Sequence, residues 1–525
     1  MGKCSYIWKE KDEKLIKSIK KSCSYETWEG SDEFCIFHDP SSNKDRDLFI
    51  QKLEEQIQSE TEKHSFHGCI FPKNWDYFKN YEFKINVDFR KTTFQDADFS
   101  EATFQDADFS EATFKDANFW KATFKDANFI WIKFYDAFFR GATFQNAYFL
   151  VATFWDADFS EATFQNAYFT GATFKDTYFK ETAFQENADF SKAIFQENGD
   201  FTETTFQNAN FSEATFQAYA DFNKAAFKDA YFEGATFQGD ADFSGAIFEG
   251  IASFMSANFQ RIASFAKAIF QKNAYFEGTT FQNTDFSQAI FHDLTMNETV
   301  FRENLEFKPK QVKNFNLRNS KFFFMGTITA DLKMARFYSS FIKNVSFIDC
   351  QWPDDKIIFE EEHMKDEDIN LGYKELETIY RNLKQNMQNY GDYSLAGEFY
   401  FREMEMRRKK NKWKTGSWWW LQIYKFLAGY GEKPHYTAAV SGYITILFAF
   451  LYGLFGCIQY SAGNPCLTQK IIDTLYFSFV TFTTLGLGDI RPITTIGKAL
   501  ICCEAIIGAF MMALFVVVFV RKMAR

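Results

Sequence analysis

From Phe89 to Phe184 the chain places a phenylalanine at every fifth position without interruption. Two places before each stands a small residue, usually Ala, often followed by Asp or Asn: ADF, ANF, AYF, ATF. A period of five matches neither the 3.6 of a helix nor the 2 of a strand. It matches a chain that turns a corner every five residues, so that each Phe and each small residue points inward and stacks on the next coil. Burying a Phe side chain is worth about 1.5–3 kcal/mol, so dozens of stacked rings can hold such a structure with no other core. After Phe184, six-residue steps intrude at FQENADF, FQENGDF, FQAYADF, FQGDADF, FEGIASF, FQRIASF and FQKNAYF. Each adds one residue to one side of a coil, which a bulge absorbs. Tolerance at a corner is the preferred reading, a shaped face for a partner the other. Between His292 and Trp352 the pattern decays, with SFIDCQW as its last echo, as a terminal cap does.

The pattern A(D/N)FxxATFxx over residues 86–300 resembles the pentapeptide-repeat family. That resemblance implies a right-handed quadrilateral β-helix with four five-residue faces per coil. About ten coils at about 4.8 Å each make a rod about 48 Å long. Composition fits: of 525 residues, 70 are Phe against 24 Tyr and 11 Trp, a bias that asks for repeats rather than a mixed core. A mean hydropathy of −0.32 keeps most of the chain compatible with water. The net charge of −11, from 58 basic and 69 acidic residues, disfavours a nucleic acid bound through its phosphates. It leaves room for an acidic scaffold that imitates DNA.

The flanks of the repeat read differently. Residues 1–85 are expected to form a small helical cap, with FIQKLEEQI as one helix. They hold Cys4, Cys23, Cys35 and His38, the last two as CIFH. A C-x-x-H pair with two further thiols can supply a tetrahedral Zn²⁺ site, although the spacing matches no standard finger; buried free cysteines are the alternative. The nine cysteines suggest no disulfide framework. The N-terminus lacks an apolar h-region, so no signal peptide is expected. Residues 301–353 read as a degenerate C-terminal cap and 354–372 as an acidic linker. In 373–412, Leu376, Ile379, Tyr380, Leu383 and Met387 share one helical face. A turn at Gly391–Asp392 then makes a helical hairpin, similar to one tetratricopeptide-like unit and suited to couple a rod to a membrane. In 413–434, three consecutive Trp follow a basic cluster, the signature of an interfacial amphipathic segment.

Residues 435–525 are the membrane segment. Tyr436 to Ile458 is an apolar run of 23 residues, enough to cross about 30 Å of hydrocarbon. A second runs from Ile496 to Val520, with Lys498 and Glu504 as its only charges. Basic residues precede the first run (Arg407 to Lys414) and follow the second (Arg521, Lys522, Arg525). Both flanks, and with them the rod, are therefore expected in the cytoplasm of a multi-pass plasma-membrane protein.

Between the two runs lies LYFSFVTFTTLGLGDIRP. The motif T-x-x-T-x-G-x-G-D, here Thr481, Thr484, Gly486, Gly488 and Asp489, resembles that of two-transmembrane potassium channels over about 90 residues. The resemblance implies an all-α pore domain with a re-entrant loop, completed by four copies around an axis. Thr484, Leu485, Gly486, Leu487, Gly488 and Asp489 would form the selectivity filter, with Thr481 and Tyr476 on the pore helix. The glycines permit conformations that turn carbonyls inward to replace an ion's hydration shell. The pore helix, about Ile471 to Thr483, would aim its negative end at the cavity. Gly508 is a candidate hinge of the inner helix, Met512 and Val516 a hydrophobic gate. Glu504 is a costly intramembrane carboxyl, expected to bond the pore or outer helix rather than charge the cavity. Leu487 replaces the family's usual Tyr. Some two-pore-domain potassium channels share the GLG sequence, which keeps potassium selectivity plausible, but the missing hydroxyl could loosen the filter, and Tyr476 would need another partner. Cys457 and Cys466 are expected to be free. The expected whole is a homotetrameric cation channel, potassium-selective, conducting passively. It would require no cofactor, with K⁺ as the permeant ion in the filter and Zn²⁺ at the N-terminus as an option beside free thiols, and with lipid and a cytoplasmic ligand or protein as partners. A weakly selective depolarising pore and a membrane-anchored scaffold are the rivals. No catalytic motif points to an enzyme.

Overall fold

The computed structural model describes the chain except for residues 1, 13–16, 42–43, 60–61, 367–370, 414, 460–465 and 524–525. Lys414 and Arg525 of the basic flanks, and part of the 354–372 linker, thus lie outside the described residues. The chain divides into two compact units, Met1–Trp352 and Pro353–Arg525.

The first unit is a four-sided parallel β-helix of about 14 turns. In the regular part each coil is 20 residues long: Thr123 pairs with Thr143 and Phe124 with Phe144. The Phe rings form ladders along the interior, with Phe124 4.8 Å from Phe144 at 6° between planes. Around a coil they meet edge to face, as Phe124 and Phe129 do at 72°, so both favoured aromatic geometries are used at once. Small residues complete the interior. Ala122 and Ala127 are fully buried, and so is Ile132, which stands where the repeat would place its next alanine.

Two kinds of corner alternate. At the first, Phe99 O accepts from Ala102 N at 3.1 Å, with Glu101 left-handed at φ 60°. The residue before the Phe closes this turn from outside: Asp98 Oδ1 accepts from Ser100 N at 2.9 Å, and Asn118 Oδ1 from Trp120 N at 3.0 Å. That bond is why Asp and Asn recur between the small residue and the Phe. The second corner lies within the strand, where Asp96, Asp106, Asp116 and Asp126 take φ of 48–53°, a conformation Asp tolerates better than most residues. All seven six-residue steps fall at this second kind of corner. Opposite Phe164 and Ala167 stand Phe184 and Ala188, one residue out of register. The first corner, fixed by its hydrogen bond, keeps five.

The coil reaches beyond residues 86–300 on both sides. Lys63–Ser65 already pairs with Asn86–Asp88, and Gly326–Ile328 still pairs with Val345–Phe347. Before residue 86, Phe66, Phe71, Phe78 and Phe83 already stack on Phe89, Phe94, Phe99 and Phe104, joined by the buried Trp75. After residue 300, Leu317 and Leu332 share the interior with Phe301, Phe307 and Phe322. What lapses at the ends is the strict five-residue spacing, not the buried interior, and the coil runs to about 14 turns rather than ten. Ahead of it stand an antiparallel hairpin, Ile7–Asp12 with Lys17–Ser22, and the helix Arg46–Ser59, which buries Phe49 and Leu53. The cap is therefore part strand, not helical alone.

The second unit is helical. Tyr373–Asn389 and Tyr393–Lys410 form the hairpin, turning at Gly391 with φ 82°. Asp392 caps the second helix by accepting from Leu395 N at 2.9 Å. Leu376, Ile379, Tyr380, Leu383 and Met387 are buried between them. Glu377 and Glu403 hold the pair together, bridged by Arg381, Lys384, Arg407 and Lys410. Gly416–Ala428 follows, with Leu421 and Ala428 buried and Trp419, Trp420, Ile423 and Phe426 exposed. That apolar face suits a membrane boundary. Then come two helices long and apolar enough to cross a membrane, Pro434–Phe455 and Thr495–Met523, with Leu467–Phe482 between them.

Candidate pore loop

Leu467–Phe482 precedes the loop and packs between the two long helices. Tyr452 and Phe477 meet edge to face at 5.0 Å, in a cluster with Phe448, Cys457, Ile458 and Ile490. After the loop the chain is tied back to the first long helix: Gln459 N donates to Arg491 O at 2.9 Å and Ile493 N to Cys457 O at 2.8 Å. Gly497 makes that return possible, since a Cβ there would lie 2.9 Å from Cys457 O. Cys457 is buried, Cys466 exposed, and both are free.

The loop backbone alternates in hand. Thr484, Gly486 and Gly488 take φ of 57°, 56° and 79°, while Leu485 and Leu487 between them stay out of the positive region. Alternating left- and right-handed residues rotate successive peptide planes so that their carbonyls share one edge of the strand, the arrangement an ion-coordinating carbonyl ladder requires. A Cβ on Gly486 or Gly488 would meet nothing within 4 Å in the single chain, so their positive φ, not crowding, calls for glycine. Thr484 N and Leu485 N donate to Thr481 O and Val480 O, both at 3.0 Å, fastening the loop to the helix's negative end. The Thr484 hydroxyl donates to Thr483 O at 2.7 Å. Arg491 Nε donates to Gly488 O at 3.3 Å.

Glu504 is fully buried and joins all three helices. Tyr452 donates to Oε2 at 2.7 Å and the Ser478 hydroxyl is bonded to Oε1, close to Thr445 O of the first helix at 2.8 Å. Gly508 lies on the same face, buried with Met511 and Val518. A Cβ there would stand 2.1 Å from Phe482 O. The helix runs through Gly508 without a break, so here the glycine permits a close crossing, and a hinge is not needed to account for it. Met512 and Val516 are exposed in the single chain, away from the Glu504 face.

Several residues that sequence reasoning passed over matter here. Tyr452 and Ser478 are the partners of Glu504; neither is unusual enough in an apolar helix to draw notice. Glu432 binds Arg521 at 3.2 Å, in the last turn of the inner helix, and Arg521 lies 5.0 Å over the Tyr400 ring. Glu405 accepts from Tyr430 at 2.6 Å, Lys425 at 3.0 Å and Arg408 at 3.1 Å. Burial would raise its carboxyl, but these three donors outweigh it and hold the pKa down to about 2. Elsewhere, Cys4, Cys23, Cys35 and His38 converge, all buried.

Comparison with known proteins agrees with both halves. An ion-channel family profile matches residues 444–525. Profiles of pentapeptide repeats match 78–130, 137–176 and overlapping stretches from 159 to 303. Among curated proteins, a two pore potassium channel a from Oryza sativa subsp. japonica is 36% identical over 74 residues, covering 13% of this chain and 21% of that one. An uncharacterised protein from Methanothermus fervidus is 34% identical over 79 residues, 15% of this chain and 12% of the other. The chain thus spans about a fifth or less of the length of these relatives. Among solved structures, HetL, a pentapeptide repeat protein of Nostoc, matches at 16% identity and TM-score 0.21, over 48% of this chain and 96% of its own. QnrB1, a plasmid-mediated fluoroquinolone resistance protein, matches at 19% identity and TM-score 0.18, over 44% and 87%.

Proposed function

We propose that this chain, a pentapeptide-repeat β-helix fused to an ion-channel domain, is one subunit of a homotetrameric potassium channel of the plasma membrane. The observation that carries the reading is the alternating hand of Thr484, Gly486 and Gly488 in a loop between two membrane-length helices. One such strand cannot surround an ion, so four copies would face their carbonyls to a common axis and replace the hydration shell of K⁺. Non-helical backbone at membrane depth is tolerable only where it lines such a cavity. Conduction is passive, with no catalytic step. Met512 and Val516 would line the inner constriction. The basic flanks favour a cytoplasmic β-helix, which would act as sensor or docking region.

Leu487 favours a second reading, a weakly selective cation pore. Its side chain offers no hydroxyl to brace the filter. The experiment is current from the purified full chain in planar bilayers under opposed K⁺ and Na⁺ gradients. Reversal near the K⁺ equilibrium potential is expected; reversal near zero would replace potassium selectivity with the weakly selective pore. Gly486→Ala should abolish current while leaving an inserted oligomer. Current that survives this change would remove the filter assignment.

A further inference from the structure

We propose that Cys4, Cys23, Cys35 and His38 bind a structural Zn²⁺ ion that clamps the N-terminal cap onto the first coil of the β-helix. The four residues come from three separate segments. Cys4 lies beside the bridge that pairs Lys3 with Glu26. Cys23 follows the hairpin strand Lys17–Ser22, and Cys35 and His38 share one turn, with His38 N bonded to Cys35 O at 3.1 Å. Their ligand atoms nevertheless all lie within 4.8 Å of one another. Cys23 Sγ is 3.7 Å from Cys35 Sγ. His38 Nδ1 is 3.7 Å from Cys4 Sγ and 3.1 Å from Cys35 Sγ. A tetrahedron with Zn–S bonds of about 2.3 Å and a Zn–N bond of about 2.0 Å has edges of about 3.8 Å between sulfurs and about 3.5 Å between sulfur and nitrogen. A disulfide would need about 2.05 Å.

The imidazole is already oriented for a ligand's work. His38 Nε2 lies 3.0 Å from His67 O, and a carbonyl only accepts, so Nε2 carries the proton. Nδ1 is left as a lone pair aimed at the thiols, the arrangement that a second shell imposes on ligating histidines. Tyr6 stacks on the ring at 4.0 Å and 9°, holding its plane. Thiols alone do not account for the cluster. Cys4 and Cys35 both face Nδ1, whose single lone pair can accept one proton, whereas one metal ion satisfies all four groups together. The four residues are 1–7% exposed, so four protein ligands would fill the tetrahedron with no open position for water. That is a structural site rather than a catalytic one. Lys44 adds a buried cation beside it, donating to Phe37 O inside the CIFH turn at 3.2 Å and to Ile70 O at 2.6 Å. It offsets part of the charge that three thiolates bring. Through His67 the ion would lock the cap over the end of the Phe ladder, where the solenoid otherwise exposes an unpaired edge.

The test is elemental analysis of the full chain, purified in detergent without a histidine tag. About one Zn²⁺ per chain is expected. Replacing it with Co²⁺ should give the intense visible bands of a tetrahedral thiolate–imidazole site. Cys35→Ser and His38→Gln should each lose the metal, and Cys350→Ser should keep it. If those variants fail to fold, chelation of the wild-type chain serves instead. Stripping the metal should speed hydrogen exchange in the first coils about tenfold or more, and added Zn²⁺ should reverse it. The proposal is overturned if the folded wild-type chain carries no zinc with its thiols free, carries a Cys23–Cys35 disulfide, holds another metal in the cluster, or exchanges at the same rate with and without zinc.

Discussion

At the scale of single residues, the pore unit depends on contacts that leave no room for a side chain. Gly508 crosses the end of Leu467–Phe482 so closely that a Cβ would lie 2.1 Å from the Phe482 carbonyl oxygen. The obstacle is backbone, which cannot swing aside as a long side chain would. Gly508→Ala is therefore expected to force the helices apart at a cost of about 1–3 kcal/mol. A lower melting temperature in detergent and a smaller oligomer fraction on gel filtration would register it. Unchanged melting would mean that the crossing is looser than this geometry. Beside it Glu504 carries no comparable crowding but joins three helices through two hydroxyls, so its burial is compensated as an intramembrane carboxyl requires.

At the scale of elements, the two corners of the β-helix obey different rules. The corner closed by the Phe O to small-residue N bond, such as Phe99 to Ala102, has a fixed length. The corner inside the strand takes either five or six residues. Deleting Glu186 from FQENADF, which lies in the register shift between Phe184 and the paired Asn187, is expected to cost less than about 1 kcal/mol, because it restores the five-residue step of the adjacent coils. Inserting a residue between Ser100 and Glu101 should cost several times more and open the adjacent coils to protease. Equal sensitivity at both corners would refute this account. The helical elements carry a pH dependence of their own. Glu405, held at about 2 against an ordinary value of 4.5, joins Tyr393–Lys410 to Gly416–Ala428 and to Tyr430. A depressed carboxyl stabilises fully above its ordinary value and loses that contribution as pH falls through its folded one. Thermal stability of this region should hold down to about pH 4.5 and fall from there toward pH 2. In Glu405→Gln that part of the fall should be absent, with stability lower throughout.

At the scale of the whole molecule, the proposed pore would need more than one chain. Leu485, Leu487, Phe479 and Val516 are all more than half exposed in the single chain, a large apolar surface that calls for further copies or lipid. The inner helix ends at Arg521, bonded to Glu432 and stacked over Tyr400 of the hairpin. A movement of the hairpin therefore has a direct handle on the helix that would carry the gate. Arg521→Ala is expected to change open probability several-fold without changing the reversal potential, with Arg521→Lys intermediate. Single-channel recording separates the two quantities, and unaltered gating would assign Arg521 to folding alone.

The sequence by itself determined the repeating architecture and the place of the pore loop. Both are written in near-neighbour chemistry: an inward Phe at every fifth position dictates a corner every five residues, and TTLGLGD between two apolar runs dictates a loop whose glycines can take positive φ. Tertiary structure alone decided what happens across long separations. Glu504 meets Tyr452 and Ser478 because three helices cross at one depth and rotation, which no local spacing encodes. Gly508 is small because another helix ends against it. The Cys/His residues come together because the hairpin, the CIFH turn and the first coil pack on one another. The coil outlasts its strict period at both ends. Phe66, Phe71, Phe78 and Phe83 keep stacking on the rings of the next coil, and Leu317 and Leu332 stay buried along with Phe301 and Phe322, at uneven spacings that only the packed coil brings into line.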